Sequence, residues 1–188
     1  KTRASTEALQ TLFKESSSGA LDSVTATEKP LKKTYLALVA GTPSARSGRV
    51  NSVIYKAKRS IGPGSALEPQ MTTERSKRAD LLDEGQVSVT EYKMISSHMT
   101  TIGGVRVKLS LMEFVPLTGR THQIRVHAAE QLGCPIIGDF RYGLTTIYNL
   151  NQIPGIGHGL HLHCKSIEFP FGGEGAMKTH RFEAPLPK

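Results

Sequence analysis

A domain of mixed α and β structure, with several strands and few helices, is what this sequence predicts. Three observations carry that expectation. Five stretches, 33–40, 86–95, 105–111, 160–170 and 182–187, have strand patterning. Only two, 5–14 and about 118–131, have apolar residues at helical spacing. At 188 residues and 38% apolar content, the chain is long enough to bury one core.

In residues 5–14, Leu9, Leu12 and Phe13 fall at i, i+3 and i+4, behind Ser5 or Thr6 as caps; the Ser16-Ser17-Ser18-Gly19 run ends this helix. Residues 33–40 are apolar on both faces after Thr34 and close at Gly41-Thr42-Pro43, as a strand buried on both sides requires. Residues 56–86 lack apolar periodicity, and Lys56 to Gln70 read as a long loop. Val87-Ser88-Val89-Thr90 alternates as a strand, and Gly103-Gly104 signals a turn. Residues 105–111 then alternate apolar with polar, giving a half-exposed strand whose basic face holds Arg106 and Lys108; Pro116 stops it. Thr118 or Thr121 is placed to cap a helix running to about Gln131, closed by Gly133 and Pro135. Ile124, Ala128 and Leu132 share one face of it, while Arg125 and Ala129 lie on another. The stretches 160–170 and 182–187 read as short strands, the second ending against prolines. There is no internal repeat.

The formal charge is +8, unevenly placed. Residues 1–60 hold eleven Lys/Arg against four Asp/Glu, while residues 61–188 hold thirteen against twelve. That balance suits an acidic partner, most simply nucleic acid, although a solvated basic surface has the same composition. Two cysteines, Cys134 and Cys164, make no disulfide framework. No apolar run approaches the ~20 residues of a membrane span, so no membrane partner is expected.

The richest chemistry lies at Leu117-Thr118-Gly119-Arg120-Thr121-His122-Gln123-Ile124-Arg125-Val126-His127. A helix start presents unpaired N–H groups and partial positive charge. Gly119 would let a phosphate or carboxylate approach the backbone, and Arg120 and Arg125 add guanidinium forks. These residues alone predict an anion site.

The run from Gly119 to His127 resembles the signature of the RluA-type pseudouridine synthases. Lys33-Thr34-Tyr35-Leu36-Ala37, Gly138-Asp139 with Tyr142, and the closing Phe182-Glu183-Ala184-Pro185-Leu186-Pro187 extend the likeness over roughly 1–55 and 86–188. The resemblance implies a pseudouridine synthase fold, α/β (α+β) in class, with a mixed, mainly antiparallel sheet. It implies one catalytic domain over 1–188 that lacks its N-terminal part, with 56–86 as a variable loop. It implies isomerisation of uridine to pseudouridine in RNA, most simply ribosomal RNA, with no metal, nucleotide or flavin. By position, Arg125 would pair with the catalytic aspartate. Tyr35 would pack against the flipped base and act as a candidate proton acceptor. Lys32, Lys33, Gly119, Arg120, Thr121, His122, Gln123, Arg106 and Lys108 would contact RNA.

One departure matters. The family's nucleophile sits in an Arg-Leu-Asp motif upstream of an Ala-Lys-Thr-Arg stretch, and this sequence opens at Lys1-Thr2-Arg3. Asp22, Asp80 and Asp83 lie in loop-like sequence, and Asp139 belongs to its own Gly-Asp motif, where a structural role is expected. Two readings follow: a synthase whose aspartate precedes Lys1, or a catalytically silent paralogue kept as an RNA-binding ribosome-assembly factor, with ribosomal or assembly proteins as partners. The likeness to organellar relatives points to the mitochondrion, with the cytoplasm as the alternative. His158, His161, His163 and Cys164 are too weakly spaced for a metal site, since a strand turns Cys164 away from the two histidines. Cys134 before Pro135 reads as a small buried residue, and Gly62-Pro63-Gly64-Ser65 lacks phosphate-loop spacing.

Overall fold

Strand β1, Lys32–Ala40, is the strand on which the domain is built, and its burial follows its sequence: Leu36, Ala37, Val39 and Ala40 are buried. The computed structural model describes residues 6–7, 10–11, 31–60, 67–73, 80–81, 84–102, 105–143, 159–171 and 178–187. Beyond β1 come β2 (Ser47–Ser60), β3 (Leu67–Thr73), β4 (Asp80–Leu81), β5 (Gln86–Ile102), β6 (Val105–Pro116), β7 (Leu162–Phe171) and β8 (Lys178–Glu183). They form one sheet in the order β3-β2-β5-β6-β1-β7-β8, with β4 also on β2. Every pairing among these strands is antiparallel. The expected mainly antiparallel sheet with few helices is what folds.

Several boundaries differ from the sequence reading, each for a physical reason. Residues 56–86, expected as a loop, hold the end of β2, all of β3 and β4. Gln70, Thr72 and Thr73 are buried there, so polarity misreads them as solvent-facing. Strands β5 and β6 run well past their apolar cores because they pair with each other along their length, with Ile102 opposite Val105. The Gly103-Gly104 turn lies outside the described residues. The last strand ends at Glu183, before Pro185, rather than running to Pro187. Of the first helix, Thr6, Glu7, Gln10 and Thr11 are described; all four are helical and exposed.

Register divides the sheet into two faces. Tyr35, Ala37 and Val39 of β1, Met112 and Phe114 of β6, and Tyr92 and Met94 of β5 align across the strands on what we call the front face. Ile124, Ala128, Cys134 and Ile136 pack onto them, with Leu132 at the margin. The shared apolar face expected of Ile124, Ala128 and Leu132 therefore seats the helical segment on the sheet.

That segment is short. α1 is Gln123–Val126, and the chain continues as one π turn over His127–Gln131. Neither Thr118 nor Thr121 caps it. The cap position is His122, in the left-handed region at φ 55°, with no side-chain cap bond. Thr118 is drawn instead to the sheet and to Gln123: its Oγ1 accepts from Val89 N at 2.9 Å and donates to Gln123 Oε1 at 2.7 Å.

Strand β3 clasps the helical segment from the side. Glu130 accepts from Thr72 Oγ1, from Thr73 N at 2.8 Å and from Thr73 Oγ1 at 2.9 Å, while Gln131 Nε2 donates to Thr73 Oγ1 at 2.8 Å. Bonds to a carboxylate are worth more than neutral ones, and buried donors left unpaired are costly. Glu130→Ala should lower unfolding free energy by about 3 kcal/mol, with Glu130→Gln costing less because it keeps an acceptor. Urea unfolding checks this; an Ala variant as stable as the parent would show that the clasp contributes nothing.

Candidate active site

The site grows from Gln123. Its Nε2 donates to Val89 O at 2.9 Å and Thr90 Oγ1 at 2.8 Å, and its Oε1 accepts from Thr118 Oγ1 and Arg120 N. An amide saturated in this way locks the start of α1 to β5. Gln123, expected among the RNA contacts, is buried with its amide engaged inside the protein. His127 lies one turn further on and is 0% exposed. Ser88 Oγ donates its proton to Ser52 O at 2.8 Å, so it must accept from His127 Nε2 at 2.9 Å. Nδ1 then accepts from Thr90 Oγ1 at 2.9 Å. The ring is neutral, and burial pulls its pKa down to about 4.

Arg125 points off the apolar face of the helical segment. Its Nε and Nη2 donate to Oδ2 and Oδ1 of Asp139 at 2.8 and 2.7 Å. Asp139 is buried, and its Oδ1 also accepts from Arg141 N and Tyr142 N, each at 3.1 Å. Gly138, at φ 75°, makes the turn that presents this carboxylate. A Cβ there would collide with the Gly159 carbonyl oxygen. Side-on pairing uses one edge of the guanidinium and leaves Nη1 with the outer hydrogen of Nη2 for a second anion.

Tyr142 lies against Arg125: the guanidinium carbon is 4.9 Å from its ring centroid. Its phenol bridges two elements, accepting from Met71 N at 3.3 Å and meeting His122 Nδ1 at 2.8 Å. Burial raises the phenol to about 12, against the opposing pull of the Met71 N–H, Arg125 and Arg141. It stays protonated at neutral pH. Burial first, then Arg125 and Arg141, push His122 below its ordinary value, so that ring is neutral too. With Nδ1 engaged by the phenol, Nε2 is the ring nitrogen left to meet a ligand.

The other expected residues divide. Tyr35 is half-buried on the front face, directly opposite Phe114 and Cys164. Burial, then Cys164, raises its pKa, so this phenol is protonated at neutral pH, which disfavours a resting role as proton acceptor. Lys33 is its neighbour on the same face, and burial lowers its pKa. Lys32 is exposed on the back face, across from Glu168. Arg120 Nε donates to Val87 O at 3.1 Å, while Gly119 and Thr121 are exposed. Gly119 is not left-handed; His122 holds that conformation in the turn. Arg106 and Lys108 share the front face but lie eight and six residues along β6 from Phe114, at least ~20 Å from the Tyr35 level at ~3.4 Å per residue.

Among the described residues, no group of three metal-ligating side chains gathers. His163 reaches Ala184 O from the back face, and Cys164 faces Tyr35 on the front; His158 lies outside the described residues. Cys134 is buried in the core, and its Sγ meets Leu132 O at 3.3 Å. Asp80 is in β4; Asp22, Asp83 and 62–65 lie outside the described residues. The residues missed as site components are Asp139 and Tyr142. Both stood in the Gly-Asp motif, but nothing in its spacing tied that motif to Arg125.

An antiparallel sheet carrying one short helical segment, with an arginine held by a buried carboxylate at its edge, defines the class, and sequence comparison agrees. A family model described as RNA pseudouridylate synthase matches residues 2–130, and the chain belongs to that family. Relatives named ribosomal large subunit pseudouridine synthase C support the RluA-type resemblance. The one from Rickettsia prowazekii is 38% identical over 160 residues, covering 85% of this chain and 43% of that protein. RNA pseudouridine synthase 4, mitochondrial, of Arabidopsis thaliana is 34% identical over 151 residues, covering 76% of this chain and 27% of that protein. The chain thus spans less than half the length of these relatives. The solved structure of human RNA pseudouridylate synthase domain containing 1 shares the fold, with a TM-score of 0.63 at 23% identity over 99% of this chain and 62% of that one.

Proposed function

We propose that the protein containing these residues is an RNA pseudouridine synthase that isomerises uridine in ribosomal RNA. The observation that carries this reading is the Arg125–Asp139 pair, held side-on with one guanidinium edge left over. Asp139 is fully engaged and buried, which suits it to hold the arginine and not to attack a substrate. The remaining edge of Arg125 is the seat for the nucleophilic aspartate of the Arg-Leu-Asp motif, which these 188 residues do not contain.

In the reaction the target uridine leaves its stack. The aspartate attacks sugar or base, the bond from C1′ to N1 breaks, the uracil rotates, C1′ bonds to C5, and the bond to the aspartate breaks to release the carboxylate. The C5 proton departs and N1 regains one, so the product is an isomer and needs no oxidant or reductant. Arg125 keeps the carboxylate ionised and oriented. Tyr35 packs against the everted base from β1. His122 meets the RNA through Nε2, and Arg120 supplies positive charge beside it. The mitochondrion is the proposed location, a reading supported by the printed name of the Arabidopsis relative, with the cytoplasm as the alternative.

The test is incubation of the full-length protein with ribosomal RNA, followed by mapping of pseudouridine. Site-specific pseudouridine is expected, together with an intact mass above 20.4 kDa. Tight RNA binding with no pseudouridine on any ribosomal RNA would favour the silent RNA-binding paralogue instead.

A further inference from the structure

The hairpin of β7 and β8 closes one edge of the sheet, and its two faces differ sharply in chemistry. Opposed pairs Ile167–Phe182, Phe169–His180 and Phe171–Lys178 share the front face, because Ile167 is also opposite Lys33. Glu168, Arg181 and Glu183 take the back face, where Arg181 pairs with both carboxylates. All the described carboxylates of the hairpin are therefore behind it, and the described residues of its front are aromatic, apolar and basic.

Those aromatics are arranged as a surface and not as a core. Phe169 and Phe182 stack with centroids 5.7 Å apart and 18° between planes, and His180 meets Phe171 edge-on at 6.2 Å. Phe182 is nonetheless 60% exposed, on a strand exposed throughout. A phenylalanine with an open ring face stabilises little by its own burial. Lys33 links this surface to Tyr35, two residues along the same face of β1. By strand spacing, Phe182 lies roughly 12 Å from Tyr35.

We propose that the Phe169–Phe182 face of the β7–β8 hairpin is a stacking platform for bases of single-stranded RNA next to the target uridine. The inference rests on the RNA pseudouridine synthase reading and extends it to the substrate's form. Open aromatic rings accept any base by its π-face, and Lys33 and Lys178 supply the charge that tracks phosphates, with no carboxylate among the described residues of that face of the hairpin to oppose them. The platform selects for an unpaired segment, since stacked bases of a duplex offer no free face.

The experiment measures binding of fluorescein-labelled single-stranded oligouridylate, and of an RNA duplex of equal length, to the full-length protein. Phe182→Ala should weaken the single-strand complex about tenfold, within the roughly 5- to 100-fold range of a lost base–aromatic stack, and leave duplex affinity unchanged. Phe182→Trp should bind at least as well as the parent, which excludes a folding defect as the cause. Unchanged single-strand affinity in Phe182→Ala overturns the platform, and does so while the enzyme reading stands if the variant still forms pseudouridine. A change in sedimentation in place of RNA affinity overturns it in favour of contact between copies of the chain. A parent protein that neither binds RNA nor forms pseudouridine overturns both readings.

Discussion

Arg125→Met is expected to cut pseudouridine formation by about 10³-fold, the scale for losing one preorganised charge at a reacting centre. RNA affinity should fall roughly tenfold or less, since one charge among many contacts is removed. The structure adds a complication that shapes the test. Asp139 has 1% side-chain exposure, and removing its guanidinium leaves a buried charge uncompensated. That alone costs about 3–5 kcal/mol. The double variant Arg125→Met with Asp139→Asn separates the effects. The amide oxygen that Asp139→Asn introduces still accepts from the Arg141 and Tyr142 N–H groups and carries no charge, so stability should recover. Activity should not. Recovery of turnover in the double variant would reduce Arg125 to a structural residue. Equal losses of turnover and RNA affinity in the single variant would remove its role in orienting the nucleophile.

Acid should destabilise the domain through His127. The unfolded imidazole titrates near its ordinary 6.5, and the folded one at about 4. Between these values the unfolded chain binds the extra proton, so stability falls as pH falls. The stabilising contribution is complete above about pH 6.5 and is lost by pH 4, a difference of roughly 3 kcal/mol from the two values. The cause is burial, in a cage of Ser52, Ser88 and Thr90 hydroxyls that supplies hydrogen bonds but no counter-charge to a protonated ring. Urea titrations across pH 7 to 4 should show a steeper acid loss for the parent than for His127→Asn, which starts less stable. Parallel curves for the two proteins would place the acid sensitivity elsewhere.

The strands near the core were legible in sequence because alternation and burial agree there. Val87-Ser88-Val89-Thr90 alternates, and Tyr35 to Ala40 is apolar on both sides; both are strands. Residues 67–73 were not legible. Gln70, Thr72 and Thr73 are buried because Glu130, Gln131 and the Arg141 carbonyl satisfy them. Those partners lie 57 to 71 positions away, and no local pattern announces them. The helix was legible in place but not in form. Thr118 looked like a cap, yet its hydroxyl bonds Val89 and Gln123, and the left-handed turn falls on His122.

The same division runs through the site. The sequence alone determined the residue types: two arginines, two histidines and a glutamine in a motif specific enough to place the chain in its family, and a basic balance suited to RNA. Only the tertiary structure decided their roles. Gln123 and His127 became buried struts, Tyr142 took the place beside Arg125, and Asp139 became the carboxylate that holds it. The reason is that a guanidinium pairs with whichever carboxylate the fold desolvates beside it, and desolvation is a property of packed elements and not of neighbours in the chain.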